Sequence, residues 1–346
     1  MTLPIENTRF RHLAMLLLVL CVTPPLIAQN QPWPFTTDGA GVTSILLMGD
    51  NNIQLRDKPE EAFKYVMPTF RKADFRFLNL EGAFAGSSKD PRVPDIPHKT
   101  WKHSEPDQVA ALKAANIDAV GVANNVTYPW QALMKSLAVL DSVGIAYAGG
   151  GANLDMAHKP VIVEKNGLRV GFMQCAATVF PYNHAATQSQ PGIAQIKVHT
   201  AYQPPVQMDK PGQPAEVITW LDEASKTRMV EGIRNLRKQA DIVVFSCHWG
   251  VSDAKEPVSY QSEIAKAVID AGADVVMGHG SHRYQKIELY KGKPIFHCLG
   301  QFVFDDQCKD RRSKYREGLL VRVAVLNKKI HSVSVVPSWR EDDNFV

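Results

Sequence analysis

Short apolar runs alternate along the chain with stretches of helical periodicity. Each run has the length and β-branched content of a buried strand and is bounded by polar or glycine residues. The predicted strands cover residues 44–50, 74–82, 118–125, 169–176, 241–250, 274–282 and 294–304. Strands that alternate with helices predict an α/β architecture.

Apolar positions between these runs recur at the spacing of amphipathic helices. Two such sets are Leu133, Leu137, Leu140 and Met229, Ile233, Leu236. Gly144 follows the first set, where a helix C-cap is expected. Ser104 with Asp107 predicts a capping box at the start of another helix. Residues 181–220 are rich in Pro and Gln and lack sustained periodicity, so we expect a long loop there.

The first residues have the layout of a secretory signal. Arg9 and Arg11 precede an apolar stretch over residues 13–22, and Ala28 closes a suitable cleavage site. We therefore expect a signal peptide over residues 1–28 and an exported protein in the periplasm or elsewhere in the cell envelope. An uncleaved membrane anchor that extends to Ile27 is the alternative. No linker divides the remainder, which predicts one domain over residues 40–340.

Composition narrows the classes of function. The chain has 346 residues and a formal net charge of +4, which is too mild for a nucleic-acid-binding surface, and we expect no nucleic-acid partner. Four cysteines follow the signal segment: Cys175, Cys247, Cys298 and Cys308. Most of them lie inside apolar runs, so we expect buried thiols and no disulfide framework.

Polar side chains stand where five of the predicted strands end. They are Asp50, Glu81, Asn124, Asn125, His248, His279 and His282. In open α/β sheets ligands bind at the carboxyl ends of the strands. Carboxylate, amide and imidazole groups together suit manganese, zinc or iron, and their number is enough for one or two divalent ions. The alternative is structural, with capping carboxylates, turn asparagines and a packed core histidine.

Six motifs follow one another in order between about residues 45 and 304: "GD", "NLEG", "ANN", "CHWG", "AGADVVMGHGSH" and "KGKPIFHCLGQFVF". In order and spacing the series resembles the CapA-type poly-γ-glutamate capsule biosynthesis family, whose members have a calcineurin-like metallophosphoesterase fold. The resemblance implies a sandwich of β-sheets flanked by helices. It also implies metal ligands at Asp50, Glu81, Asn125, His248 and His282, with His279 as a further candidate.

The chain departs from the pattern of this family at four positions. Val126 stands where the family commonly has a histidine, which in metallophosphoesterases protonates the leaving group. Asn52 replaces a ligand histidine of phosphoesterases, Gly280 replaces a histidine of many relatives, and Gln301 replaces an asparagine. Three histidines are candidates for the missing proton donor: His98, His103 and His184.

The resemblance implies a part in making, releasing or attaching an anionic surface polymer such as poly-γ-glutamate, by metal-assisted hydrolysis or transfer. The partners expected are the anionic polymer or a phosphoester substrate and a membrane polymer synthase. Two alternatives stay open. The first is a non-catalytic subunit that binds polymer or assists assembly, which Val126 favours, and the second is a periplasmic metal-dependent phosphoesterase.

Overall fold

The structure is a computed structural model that describes residues 41–86, 103–204, 212–305 and 315–341. The predicted signal peptide, His98 and Cys308 lie outside these ranges. The strands are β1 Thr43–Asn52, β2 Phe75–Leu80, β3 Ala119–Gly121, β4 Ala146–Ala148, β5 Gly150–Gly151, β6 Val161–Lys165, β7 Leu168–Ala176, β8 Gly192–Ile193, β9 Val198–Gln203, β10 Glu216–Leu221, β11 Ile242–His248, β12 Val275–His279, β13 Ile287–Tyr290, β14 Lys293–Phe296, β15 Gln301–Phe304, β16 Glu317–Leu326 and β17 Lys329–Trp339. The helices are α1 Met67–Phe70, α2 Ala110–Ala114, α3 Trp130–Ser142, α4 Leu154–Ala157, α5 Glu223–Arg237 and α6 Ser259–Ala271, with 3-10 helices at Pro59–Glu61 and Pro106–Val109.

Two large sheets carry the candidate site. The first sheet has the strand order β17-β16-β1-β2-β3-β4, and β15 also pairs with β1. Its strands β1 to β4 and β15 are parallel, whereas β16 and β17 are antiparallel to their neighbours. The second sheet has the order β13-β14-β12-β11-β7-β6, with β7, β11, β12 and β14 parallel. The parallel strands of each sheet therefore end at a common edge.

The alternation of side chains along the strands separates three apolar cores. Ile45 and Leu47 of β1 join a core that also contains residues of β7, β11 and β12, between the two sheets. Leu46 and Met48 point the other way and pack with α2 and α3. The outer face of the second sheet packs in the same manner against α5 and α6. This order of helix, sheet, sheet and helix confirms the predicted α/β sandwich flanked by helices.

Aromatic stacking tightens the core between the sheets. The rings of Phe77 on β2 and Phe172 on β7 are parallel to within 8°, with 4.5 Å between their centres. Both side chains are fully buried, and burial of each contributes about 1.5–3 kcal/mol. The two sheets are thus fixed against each other directly below the edge where the polar strand ends lie.

The predicted helices are confirmed, but one predicted cap is wrong. Helices α3 and α5 bury the two predicted sets of apolar residues, and Gly144 follows α3 with a φ of +73°. The capping box at Ser104 does not form, because Ser104 pairs with Phe84 in an isolated β-bridge. The residue before the 3-10 helix Pro106–Val109 is Glu105, whose side chain makes no capping hydrogen bond.

Two predicted segments differ from the structure. The expected single strand over residues 294–304 is wrong, because it splits into β14 of the second sheet and β15 of the first. The chain turns at Gly300, which has a φ of +76°. The expected long loop over residues 181–220 contains β8 and the antiparallel pair β9 and β10. Both strands of this pair are largely exposed, so they lack the apolar pattern that marks a buried strand.

The three cysteines of the described segments are free thiols. Cys175, Cys247 and Cys298 are buried and free. Burial raises the pKa of the Cys175 thiol to about 12, so this thiol stays protonated at neutral pH.

Within residues 41–341, as far as the structure describes them, no helix has both the length and the apolar character needed to cross a membrane.

Candidate metal centre

The inner faces of the sandwich change from apolar to polar toward the carboxyl ends of the strands. On β2 the inward series is Phe75, Phe77, Asn79 and then Glu81, just after the strand. The equivalent series on two strands of the second sheet are Ile242, Val244, Ser246, His248 and Val275, Met277, His279. Because side chains alternate with a period of two, this register brings polar groups of both sheets to one place.

Asp50 reaches the inner face through a bulge in β1. Strict alternation after Ile45 and Leu47 would turn Asp50 outward, but β1 gains one residue against β2, so that Met48 pairs with Leu78 and Asp50 with Asn79. The extra residue is Gly49, where a Cβ would lie 2.1 Å from the carbonyl oxygen of Gly300. A bulge of this kind re-aims a side chain, and here it carries Asp50 into the site.

Asp50 is an ionised, fully buried carboxylate. Its Oδ1 accepts hydrogen bonds from Asn79 Nδ2 and His279 Nδ1, each at 2.9 Å. Burial raises the pKa of Asp50, but the hydrogen bond from His279 and the nearby histidines outweigh it and bring the pKa down to about 2. Its other oxygen, Oδ2, has no hydrogen-bond partner among the described residues.

Glu81 and His282 complete a cluster with Asp50. One potential ligand atom from each of these residues lies within 4.8 Å of those of the other two. His282 Nε2 is 3.7 Å from Glu81 Oε1, and His282 Nδ1 is 3.8 Å from Asp50 Oδ2. Asn52 Nδ2 donates to the backbone oxygen of Glu81 at 2.7 Å. Asn52 thus holds the chain that carries Glu81.

His279 and His248 lie beside this cluster. Since Asp50 is ionised, His279 Nδ1 donates to it, and the lone pair of a neutral ring is then on Nε2, which is buried without a partner in the described structure. His248 is buried, and its Nδ1 also lacks a hydrogen-bond partner there. Burial lowers the pKa of His248 to about 3. The ring of His248 is therefore a neutral imidazole, the form that binds metal ions.

A tight turn presents His282. Its φ is +60°, in the left-handed region that non-glycine residues seldom occupy, and its ring packs on Phe304 and Tyr315 with centres 5.5 and 6.2 Å apart. The turn begins at Gly280, where a Cβ would lie 2.5 Å from the backbone oxygen of Trp249. The histidine of many relatives at this position would therefore require the backbone to shift.

The predicted ligand Asn125 lies on a turn that Asn124 holds in place. Asn124 Oδ1 accepts from the backbone N–H groups of Val126 and Thr127 at 3.0 and 3.1 Å, and its Nδ2 donates to Leu80 at 2.7 Å. Asn124 is a turn residue, as the structural alternative proposes for it. Asn125 Oδ1 is buried and has no hydrogen-bond partner in the described ranges.

The predicted proton donors lie in different surroundings, and their roles stay predictions. His184 Nδ1 accepts from the backbone N–H of Phe180 at 3.0 Å, so its Nε2 donates to the oxygen of Asn124 at 3.1 Å. Burial lowers the pKa of His184 to about 4, and the neutral ring braces the turn before Asn125. His103 is buried and precedes the bridge between Ser104 and Phe84.

A layer of polar side chains beneath the ligands was not predicted. Gln174 Nε2 on β7 donates to Asn79 Oδ1 at 2.9 Å and to Ser246 Oγ at 3.1 Å. Its Oε1 accepts from the backbone N–H of Ala123 at 2.7 Å. This network crosses from one sheet to the other and orients the amide that binds Asp50. Polar residues at inward positions of apolar strands are the signal that identifies it.

The geometry fits a divalent cation. Two buried carboxylates lie side by side, and polar atoms of Asp50, Asn125, His248 and His279 have no hydrogen-bond partners among the described residues. Burying such groups is unfavourable unless a charge or donor compensates for them. Oxygen and nitrogen ligands in this combination suit manganese, zinc or iron. The chain is thus an α/β sandwich protein with a candidate metal centre built from the ends of its strands.

A family model described as "Bacterial capsule synthesis protein PGA_cap" matches residues 42–306. The chain belongs to this family, and the resemblance found in the sequence motifs is confirmed. The match includes every described residue of the candidate centre.

Curated relatives agree with this assignment. The PGA biosynthesis protein CapA of Bacillus subtilis is 30% identical over 71% of this chain and 57% of its own length. The capsule biosynthesis protein CapA of Bacillus anthracis is 26% identical over 70% of this chain and 53% of its own length. The chain therefore spans little more than half the length of these relatives. Probable polyglutamine synthesis accessory proteins of Mycobacterium tuberculosis are 30% identical over 58% of this chain and 48% of theirs.

Solved structures are more distant. A hypothetical protein of Thermus thermophilus covers 86% of this chain and 99% of its own, at 13% identity and a TM-score of 0.48. A structure described as a novel phosphatase of Mycoplasma pneumoniae covers 86% and 94%, at 11% identity and a TM-score of 0.49. Since both TM-scores lie below 0.5, the fold description rests on the strand order of the chain itself.

Proposed function

We propose that this capsule-synthesis family member acts on an anionic surface polymer such as poly-γ-glutamate, in its synthesis, release or attachment, through metal-assisted hydrolysis or transfer. The observation that carries the proposal is the buried cluster of Asp50, Glu81 and His282, whose ligand atoms lie within 4.8 Å of one another. The names of the relatives support the class of polymer.

The side chains have distinct tasks in this proposal. Asp50, Glu81 and His282 would hold one divalent ion, and His248, His279 and Asn125 would complete its shell or hold a second ion. Manganese, zinc and iron are the candidates. When bound, one or two such ions supply Lewis acidity and activate water. Asn79 orients the Asp50 carboxylate and Asn52 holds the backbone of Glu81, and the neutral His248 presents a nitrogen lone pair.

Location and partners belong to the same proposal. The protein is exported and works in the cell envelope beside a membrane polymer synthase. The amino-terminal signal pattern supports export, and the mature chain then begins near Gln29. The mass of the native protein tests this, and an intact first segment in membranes would instead mean an anchor.

The metal centre is tested by comparing two variants, Glu81→Gln and Glu231→Gln. Glu231 is an exposed glutamate on α5, so its substitution makes the same charge change away from the site. Wild type and Glu231→Gln should retain metal after reconstitution with Mn²⁺, Zn²⁺ or Fe²⁺ and gel filtration. Glu81→Gln should bind it roughly 10- to 100-fold more weakly or worse, since even an outer-shell partner has an effect of that size. Elemental analysis by mass spectrometry gives the ratio of metal to chain.

Equal metal content in both variants, or metal-free wild type with every ion, would overturn the metal centre. Turnover is measured on the reconstituted protein with γ-glutamyl oligomers and small phosphoesters. Metal-dependent turnover of phosphoesters alone would favour the phosphoesterase alternative over the polymer.

A second candidate function is a binding or assembly subunit without catalysis. Val126 favours it, because this buried apolar side chain occupies the position next to Asn125 where the family commonly has its acid. His184 supports it as well, since both nitrogens of its ring bind backbone groups. In this case the same centre would bind polymer and hold it for the synthase.

A further inference from the structure

A cavity of about 510 Å³ opens beside the metal centre. Its volume falls within the range of about 300–1,000 Å³ that small-molecule sites occupy. His282 lines this cavity and also belongs to the cluster with Asp50 and Glu81. A molecule in the cavity therefore lies next to the candidate metal ligands.

Arg283 is the cation that the fold positions on the cavity wall. Its guanidinium carbon lies 5.4 Å from the centre of the Tyr315 ring, within cation–π range. Ser281 fixes its backbone, since Ser281 Oγ donates to the Arg283 oxygen at 2.7 Å. Arg283 Nε is buried and has no hydrogen-bond partner in the described structure. A guanidinium held in this way is ready to bind an anion with its planar fork.

Tyr315 connects this arginine to the metal centre. Its ring lies beside the guanidinium of Arg283 and also beside the ring of His282, with 6.2 Å between the two ring centres. Arg283 also follows His282 directly in the chain, so their Cα atoms are only about 3.8 Å apart. An anion held by Arg283 would thus leave the next part of the same ligand at the metal ligands.

The charges of the lining indicate which anion fits. Three cations, Lys255, Arg283 and Lys286, face two carboxylates, Glu256 and Glu317, which leaves one net positive charge. That balance suits a group with a single negative charge. A carboxylate would neutralise this charge, whereas a phosphate dianion would leave an excess negative charge in the cavity and has a larger desolvation penalty. A planar carboxylate also matches the fork of a guanidinium.

We propose that Arg283 and this cavity form a carboxylate-binding site that selects carboxylate-bearing substrates and aligns them at the metal centre. The proposal rests on the proposed function for the identity of the centre. It adds the residue that recognises the substrate, Arg283, and the charge of the substrate group that this residue binds.

The test is the affinity of a γ-linked glutamate tetramer for the full chain, measured by calorimetry with the metal-reconstituted protein and again after chelation. Arg283→Gln should weaken binding by roughly 10- to 100-fold, as expected for loss of hydrogen bonds to a charged group. Arg283→Lys keeps the positive charge but lacks the planar fork, so its affinity for the tetramer should lie between those of wild type and Arg283→Gln. Arg234→Gln, an exposed arginine on α5, is the matched control and should bind as wild type does. Metal content and thermal stability of the variants establish that they are folded.

Two further probes test the class of anion. The same tetramer with its carboxylates converted to amides should bind at least tenfold more weakly to wild type, and inorganic phosphate should compete poorly. Equal binding of acid and amide, equal binding by Arg283→Gln and wild type, or phosphate competition as strong as that of the tetramer would overturn the carboxylate site. None of these three results bears on the metal centre. If wild type binds no metal but still binds the tetramer through Arg283, only the proposed function is overturned.

Discussion

At the scale of single residues, the histidines around the centre have different tasks although their side chains are identical. His184 has both nitrogens engaged by backbone groups and holds a turn. His279 has one nitrogen on Asp50 and one without a partner among the described residues. His282 stands between two carboxylates on a left-handed backbone. What each ring can do is thus decided by its neighbours in space.

Val126 gives the sharpest prediction at this scale. The residue is 5% exposed and directly follows Asn125. If the site is catalytic and lacks an acid, Val126→His should raise turnover of substrates with poor leaving groups by about 100-fold, the lower end of general-acid catalysis. Activated aryl phosphates need little protonation and should change less. The measurement is kcat/KM for both substrate types with metal-reconstituted protein.

The control for this substitution is Val126→Gln, which adds a polar side chain without an acid. Both changes enlarge a buried side chain and are expected to lower the free energy of unfolding by about 1–3 kcal/mol, so stability is measured in parallel. Slower turnover in Val126→His than in wild type would mean that another acid works, and His98, His103 and His184 would be mutated next. No metal-dependent turnover in either protein, with measurable polymer binding, would leave the assembly role.

At the scale of elements, the bulge in β1 is what makes the site possible. If Gly49 occupied a regular strand position instead of the bulge, Asp50 would face the helices, while Asn79 on β2 and Glu81 just after it face the second sheet. Asn51 Nδ2 donates to the oxygen of Gly49 at 2.8 Å, and the backbone N–H of Asp50 donates to Gly300 at 2.9 Å. The bulge is therefore held by a bond within β1 and by a bond to the residue that precedes β15.

We expect Gly49→Ala to distinguish the effect of the bulge on metal affinity from its effect on the stability of the fold. A Cβ at this position would overlap the oxygen of Gly300, 2.1 Å away, and either the bulge or β15 must move. Metal affinity should fall at least tenfold, with a loss of about 1–3 kcal/mol in unfolding free energy. Elemental analysis and urea unfolding measure the two effects.

Gly167→Ala is the matched control, because its φ is +72° and a Cβ there meets open space. It should lose about 1–2 kcal/mol through backbone strain alone and keep its metal. Unchanged metal affinity in Gly49→Ala would show that the bulge does not set the position of Asp50.

The sequence predicted where the buried strands lie better than it predicted how the strands pair. The apolar runs located β1, β2, β7, β11 and β12, since burial on both faces leaves a continuous apolar signal. The hairpin of β16 and β17 was missed, and residues 294–304 were taken as one strand although they change sheets at Gly300. Motif order predicted a common site for Asp50, Glu81 and His282, and the structure brings their potential ligand atoms within 4.8 Å of one another. Polar residues at inward strand positions mark Asn79, Gln174 and Ser246 as candidates for a network, but their pairing depends on the distance between the two sheets, which the sequence does not give.

At the scale of the whole molecule, the candidate centre lies where the two sheets meet. Asp50 and Glu81 come from the first sheet, whereas His248 and His279 end strands of the second, and His282 follows one of them. Below them the Asn79 and Gln174 amides join the sheets by a hydrogen bond of 2.9 Å. A bound ion would therefore connect the two halves of the sandwich as well as serve chemistry.

This position predicts that metal stabilises the entire fold. An ion at 100 times its Kd adds about 2.7 kcal/mol to the unfolding free energy, which corresponds to a rise in Tm of about 3–5 °C for a chain of this size. Differential scanning calorimetry with and without Mn²⁺ or Zn²⁺ should show this rise in wild type and in His331→Gln, an exposed histidine on β17. Glu81→Gln should show little of it, because the cluster has lost a charged ligand from the first sheet. A rise of equal size in Glu81→Gln would place the ion elsewhere, and bound metal that leaves Tm unchanged would mean that the unfolded chain binds the ion as tightly as the native fold does.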